Sequence, residues 1–280
     1  MSLKRVRWVL LLLLLAPGLV QAAKVTLVVP PVWLERGDER LAMVPGTALQ
    51  AGDTLRTGVD AAARLEPGDG SVLELGAESA LAVVAAEPRR MSLERGMLRY
   101  AAPVGGFTET LQLLAGQLQV ELNSAELLAG VRAEQGELLL VAGEARVAAP
   151  AVELPAVRYS QPRSWYRLDN SEIEQGRLDQ DVVSRRVDAL RTDALTDVLR
   201  DDGVWVANVI SLRDEVVARE ILDELVAEGY PVRLSPVNVQ GRQWYRVQLP
   251  GFDNQDHARE LGNNLAQRYG APRAWVYVPD

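Results

Sequence analysis

The sequence predicts a multi-domain chain in which an N-terminal all-β domain is followed by a C-terminal α+β domain of β-α-β-β-α-β order. Three observations predict it. Short β-rich runs separated by glycine and aspartate turns fill residues 24–150. An internal repeat at an offset of 40 residues occupies 203–280. Each half of that repeat reads as a strand followed by an amphipathic helix.

The chain opens with Lys4, Arg5 and Arg7 ahead of an apolar run from Trp8 to Leu15. Pro17 and Gly18 break the run, and Val20-Gln21-Ala22 offers a small-residue cleavage site. These features predict a signal peptide over residues 1–22 and export to the periplasm of a Gram-negative envelope. The run is shorter than the roughly 20 residues that span a bilayer, so no membrane attachment is expected after cleavage. An exported protein can form disulfides, but the chain has no cysteine, which also excludes thiol chemistry. Its net charge of -8 disfavours nucleic acid and anionic lipid as partners, since an acidic chain releases no counterions from them.

Within residues 24–150, Val25-Val29 and Val32-Leu34 are apolar runs split by Pro30-Pro31. Gly52-Asp53, Gly68-Asp69-Gly70 and Gly105-Gly106 mark turns. Segments such as Ser71-Val72-Leu73-Glu74-Leu75 and Gln117-Leu118-Gln119-Val120-Glu121-Leu122 alternate as half-buried strands do. A sandwich, a roll and a solenoid all fit this pattern. Residues 151–202 are expected to form a linker with a helix. Leu178, Val182 and Leu190 give it a partial apolar stripe that should pack on the β-domain, because an isolated helix is marginal in water.

In the repeat, Ala218-Arg219-Glu220-Ile221 matches Ala258-Arg259-Glu260-Leu261, and Leu225 matches Leu265. Ser211 with Asp214, and Asp253 with Asp256, are expected to cap the two helices. Gly229 and Gly270 are expected to end them. Strands at Val232-Val239 and Ala274-Val278 complete a ferredoxin-like β-α-β-β-α-β unit with both helices on one face of a four-stranded sheet. Alternation then places Ala207, Val209, Tyr245, Val247, Val276 and Val278 toward the helices. The open face receives Asn208, Trp244, Arg246, Gln248, Trp275 and Tyr277. Aromatic and hydrogen-bonding groups on an uncovered sheet predict a binding surface.

The residues of this C-terminal part resemble a SPOR domain, the bacterial cell-wall-binding module often found in division proteins. Ala207-Asn208-Val209-Ile210-Ser211-Leu212 stands where that family has a strand of the type V-Q-x-G-x-F. Tyr245-Arg246-Val247-Gln248-Leu249-Pro250-Gly251-Phe252 stands at its second strand. The sequence departs from the pattern at Ile210, at Leu212 and in the Pro250-Gly251 order, and the turn after the first strand is expected to border the open face. The resemblance implies binding of peptidoglycan glycan strands stripped of stem peptides, at the division septum. It places Asn208, Arg246 and Gln248 on the family's sheet surface. Sugars suit such a face, offering ring faces to Trp and Tyr and hydroxyl and N-acetyl groups to Arg, Asn and Gln. With ten acidic and eight basic side chains from residue 203 onward the module is near neutral, and a glycan without stem-peptide carboxylates does not demand a basic groove. An RNA-binding sheet would need basic residues around its aromatics.

The β-region resembles a FecR-type domain. The residues that carry this are Leu49-Gln50-Ala51-Gly52-Asp53-Thr54-Leu55-Arg56-Thr57-Gly58, then Ala63-Arg64-Leu65 and Asp69-Gly70-Ser71. The match is good over about Val32 to Leu98. Members of that family relay signals to a cytoplasmic sigma factor, which needs a cytoplasmic segment. Only about seven residues precede the apolar run here, so the expected role is a periplasmic interaction domain for an unidentified envelope protein.

No catalytic residues, cofactor or metal are expected. His257 is the one histidine and has no nucleophile motif beside it. Metal ligation would need Cys or clustered His. The expected function is therefore non-enzymatic peptidoglycan binding through the SPOR-like sheet, with the FecR-like domain presented to a partner. The alternatives are an envelope signalling adaptor whose C-terminal module binds protein, and a cell-wall hydrolase using a carboxylate pair.

Overall fold

The structure, a computed structural model, describes residues 21–103, 109–169, 172–192, 195 and 198–279. The signal peptide expected over 1–22 lies outside these residues apart from its last two, and the Gly105-Gly106 turn lies outside them too. The protein is multi-domain and mostly β, with a C-terminal β/α region.

The N-terminal part begins with β1 (Ala23–Val29), β2 (Val32–Arg36), β3 (Glu39–Ala42), β4 (Ala48–Leu49), β5 (Asp53–Thr57) and β6 (Ala62–Glu66). It continues through β7 (Val72–Leu75), β8 (Ala80–Ala85), β9 (Arg90–Ala101), β10 (Leu111–Ala115), β11 (Leu118–Arg132) and β12 (Gln135–Ala149). Alternation is strict where one face is buried, as in β10, where Leu111, Leu113 and Ala115 point inward. The inward residues form one core that includes Leu65, Leu73, Leu93, Tyr100, Leu127 and Leu138.

The long strand β9 organises this part. Its first half pairs with β8 and, in parallel, with β10. Its second half pairs with β7 and β11. The partners change at Gly96, whose φ of +86° is left-handed and whose absent side chain leaves room for Ser79. Asp53, Thr57 and Asp69 hold the chain around their turns by hydrogen bonds. Asp53 is buried and accepts from Arg36 Nε and Nη2 at 2.8 and 2.7 Å and from the Gln50 N–H at 2.9 Å. Thr57 donates through Oγ1 to the Gly76 carbonyl at 2.6 Å, and that oxygen accepts from the Ser79 N–H at 2.9 Å. Asp69 accepts from the Ser71 N–H and hydroxyl at 2.9 and 2.5 Å and from Arg89 at 2.8 Å.

The stretch expected as a linker is largely structured. It holds β13 (Leu154–Tyr159), β14 (Ser164–Asp169), β15 (Glu172–Arg177) and α1 (Gln180–Asp188). β13 and β14 both pair with β12, and β15 pairs with β14, so the sheet continues well past residue 150. Most of β13 is exposed, so it shows no alternation of buried and exposed residues. Helix α1 does pack on the β-domain, as expected. Val183, with Leu190 just beyond the helix, joins Leu128 and Leu139 in a separate apolar cluster. Beyond α1 the chain is pinned by buried Glu74. Its Oε1 accepts from both the N–H and the hydroxyl of Thr192, and its Oε2 accepts from Arg99 at 2.5 Å. A buried carboxylate needs such full pairing, since an unpaired one would be costly to desolvate.

The C-terminal part contains β16 (Leu199–Arg200), β17 (Trp205–Leu212), α2 (Glu215–Ala227), β18 (Arg233–Val239), β19 (Arg242–Phe252), α3 (Gln255–Arg268) and β20 (Trp275–Tyr277). The offset of 40 residues maps β17 onto β19 and α2 onto α3. The order across the sheet is β20-β17-β19-β18, with every pair antiparallel. Leu225, Leu261 and Leu265 from the helices meet Ala207, Val209, Val247 and Leu249 from the sheet in one core. The caps differ from expectation. Asp214 accepts from the Val216 and Val217 N–H groups, and Asn254 from those of Asp256 and His257. β17 and β19 run on to Leu212 and Phe252, so Ser211 is still in the strand and cannot cap. Gly229 and Gly270 follow the helix ends with φ of +87° and +74°, as expected of C-terminal glycines.

The two parts are joined through β16. Leu199 pairs with Val28 of β1 on one side and with Phe252 of β19 on the other. Lys24 and Asp201 form an ion pair at 2.5 Å beside it. The C-terminal end of α2 abuts β2. Trp33 Nε1 donates to the Ala227 carbonyl at 3.0 Å, and the Val32 N–H to the Gly229 carbonyl at 3.3 Å. A side chain at Gly229 would meet the Trp33 ring at 2.8 Å. Trp33→Ala should therefore weaken the docking, lowering stability by about 1–3 kcal/mol. Urea unfolding followed with separate probes in each part should show the C-terminal part melting first in the variant, against coincident transitions in wild type.

Candidate functional site

Both helices lie on one face of the β20-β17-β19-β18 sheet and leave its other face open. Cross-strand partners share a face, so the register sorts the side chains. Asn208 pairs with Gln248 on one side and Trp275 on the other, and Gln248 pairs with Arg233. Arg246 and Trp244 follow Gln248 at alternate positions along β19, and Tyr277 follows Trp275 along β20. All six residues expected on the open face are on it.

β17 carries a bulge that simple alternation does not show. Asn208 pairs with Gln248, but Ile210 pairs with Val247, so Val209 is an extra residue. Val209 and Ile210 both pack in the helix-side core. Ser211 then returns to the open face opposite Arg246. The departure from the family pattern at Ile210 thus falls on the helix side, as does the one at Leu212, which packs against the same core. Tyr245, Val247 and Val276 also take the helix side as expected. Val278 does not: it lies beyond β20 and is exposed.

The open face is a connected set of contacts. Trp275 and Tyr277 stack with ring centroids 5.0 Å apart. Arg246 lies 4.9 Å above the Trp275 ring, and Arg213 lies 4.9 Å above the Trp244 ring. Gln248 is buried at 2% exposure; its Nε2 donates to Tyr277 Oη at 2.7 Å and its Oε1 accepts from Arg233 at 3.4 Å. Asn208 is 6% exposed and donates through Nδ2 to Ser211 Oγ at 3.0 Å, while its Oδ1 has no partner among the described residues. Trp275 itself is 54% exposed. Asn208 and Gln248 therefore serve as a buried polar floor, and the aromatic rings with Arg246 form the accessible surface.

Sequence reasoning missed Ser211, Arg213 and Arg233. The bulge hid Ser211, and Arg213 lies just past the strand. The inward and outward sides of β18 become readable only once Arg233 is paired with Gln248. Charge on the helix side is arranged separately. Arg219, then the Tyr245 hydroxyl, hydrogen-bond Glu215 and hold its carboxyl below the usual range, and the Tyr245 phenol is correspondingly raised. His257 sits in the first turn of α3. A second concavity lies on the N-terminal part, a groove of about 970 Å³ with an apolar floor at Met97, Leu128, Leu139 and Leu190. Among the described residues, no cluster of His, Cys, Asp or Glu could hold a metal ion. No helix among them is long and apolar enough to cross a membrane.

Comparison with known proteins finds two family matches. The SPOR domain model matches residues 201–277, and the FecR protein model matches residues 53–148. The second match starts later than the sequence resemblance and runs on through β12. No curated protein matches the chain. Among solved structures, two crystal structures of a candidate anti-sigma factor from Parabacteroides distasonis ATCC 8503 are similar, at 15% and 14% identity. In each, 81% of this chain covers 99% of that one, with a TM-score of 0.40.

Removing the acceptor for Gln248 tests the polar floor. Tyr277→Phe would leave a buried amide N–H unpaired and should cost about 1–3 kcal/mol of stability, read by thermal melting of the full chain.

Proposed function

We propose that this protein, which carries a FecR domain and a SPOR domain, attaches to glycan strands of peptidoglycan through the open sheet face of its C-terminal module. SPOR domains bind peptidoglycan, and FecR domains serve envelope signalling; both are binding and signalling modules. The observation that carries the reading is the stacked Trp275–Tyr277 pair with Arg246 above it, set over a floor of Asn208 and Gln248. Such rings offer flat apolar area to sugar ring faces, and the amides offer donors and acceptors to hydroxyl and N-acetyl groups. The β20-β17-β19-β18 order supports reading the module as a ferredoxin-like β-α-β-β-α-β unit. In this reading the residues that touch glycan are Trp244, Arg246, Trp275 and Tyr277, with Asn208 and Gln248 beneath them.

The finer reading is attachment to strands stripped of stem peptides, at the division septum of the periplasmic wall. The FecR domain then presents its surface to another envelope component. In the adaptor alternative, the C-terminal module would bind protein instead. The FecR domain favours this alternative, and capture of a partner that survives complete glycan digestion would support it.

Sedimentation of residues 23–280 with purified sacculi tests the main reading. A Trp244→Ala/Trp275→Ala variant should lose about tenfold or more in affinity, since exposed aromatic anchors carry a large share of binding energy. Its circular dichroism should match wild type. Equal binding by both proteins would remove the open face as the glycan site.

A further inference from the structure

We propose that the free edge of β15 is a docking site for an extended segment of another envelope protein, one that alternates basic and apolar residues. β15 lies on the N-terminal part, away from the open face of the C-terminal module, so this goes beyond the glycan reading and does not depend on it.

Among the described strands, β3, β4, β13, β15, β18 and β20 have a neighbour on one side only. β3, β4 and β20 have four residues or fewer, and β13 and β18 contain Pro155 and Pro236. Short length and proline both protect an edge. β15 has neither protection. It runs for six residues with β14 alone beside it. The register shows which of its backbone groups are free. The Leu178 N–H donates to the Arg163 carbonyl at 2.9 Å, and the pairing then continues without a bulge to Glu172. Along an antiparallel strand the direction of bonding alternates. Glu172, Glu174 and Gly176 therefore turn their N–H and C=O groups toward β14. Ile173, Gln175 and Arg177 turn theirs outward, at the spacing an added strand uses.

The side chains specify what that strand carries. Glu174 stands opposite Arg167 and accepts from it at 2.6 Å, and exposed Glu172 follows on the same face. On the other face half-buried Ile173 packs against the N-terminal core. An added strand thus meets two carboxylates on one face and an apolar position on the other. Glu172 and Glu174 fall at its non-hydrogen-bonded positions, where side chains of neighbouring strands lie closest. Basic residues two apart would pair with them, and an apolar residue between would extend the core beside Ile173.

A second copy of the chain fits poorly. Two identical edges pair antiparallel about a two-fold axis, so the central residue meets its own counterpart. Centred on Ile173, the register sets Glu172 opposite Glu174 twice. Centred on Glu174, it sets that carboxylate opposite itself. Centred on Gln175, it sets Ile173 opposite Arg177. Like charges directly opposite destabilise a strand pair. The acids guard the edge against its own kind and leave it open to a basic strand.

Fluorescence anisotropy with labelled peptides of about ten residues tests this on residues 23–280. One peptide alternates lysine and valine, the other glutamate and valine. The lysine peptide should bind at least about tenfold tighter, and the gap should narrow at high salt. A Glu172→Lys/Glu174→Lys variant should invert the preference. Gln175→Pro removes an outward N–H and none of the bonds to β14. It should weaken binding of the lysine peptide at least about tenfold, with thermal melting and sedimentation with sacculi unchanged. Equal binding of the two peptides by wild type would overturn the proposal, as would undiminished binding of the lysine peptide by Gln175→Pro. Concentration-dependent dimerisation of wild type that Gln175→Pro abolishes would overturn it too, since a second copy would then fill the edge.

Discussion

The relative placement of the two parts depends on the backbone of Leu199. Its strand is two residues long, yet it pairs with β1 on one side and β19 on the other, and its side chain is buried in the C-terminal core. So short a ladder would hold little by itself. The Lys24–Asp201 pair and the contacts of Trp33 with the end of α2 lie around it and fix the same arrangement. The C-terminal module is thereby docked on the β-domain through one sheet end and one helix end. Its open face takes no part in that docking.

The open face follows from topology. A β-α-β repeated once puts both helices on the same side, because both crossovers have the same hand. The sheet residues on the other side can then serve something besides the core. Here they form two layers. Asn208 and Gln248 are buried and bonded to neighbours, which holds the rings of Trp275 and Tyr277 in place from beneath. Arg246 and Arg213 lie over the Trp275 and Trp244 rings. A rigid floor with charged, longer side chains above it suits an extended polymer better than a small enclosed ligand.

The helices and central strands of this module were legible in the sequence because each half repeats the same apolar spacing. Strict alternation also sorted the six site residues, since none of them lies within the bulge. Alternation fails at Val209, where one added residue turns Ile210 inward and Ser211 outward. The caps were misplaced for a related reason: both strands run on past their β-rich stretches, to Leu212 and Phe252. In the N-terminal part, Gly-Asp and Asp-Gly-Ser turns were readable because Asp53 and Asp69 perform local hydrogen bonding that their neighbours specify. β13 and β15 were not, since their mostly exposed residues lack the one-sided pattern that marks a half-buried strand; β14 does alternate, with Ser164, Tyr166 and Leu168 buried, but lies in the stretch read as linker. The concentration of arginine on one face was hidden because net charge averages over both sides of the sheet.

The outer strands of the C-terminal sheet are modest ones. β20 has three residues, and β18 has Pro236 at its middle, opposite Tyr245. Proline deletes a backbone donor and breaks the row of groups that another strand would use to add itself to a sheet. A module that gathers in numbers along one polymer would be held edge to edge at high local concentration. With these edges, neighbouring copies of the module would not be stitched into a continuous ribbon through their sheets.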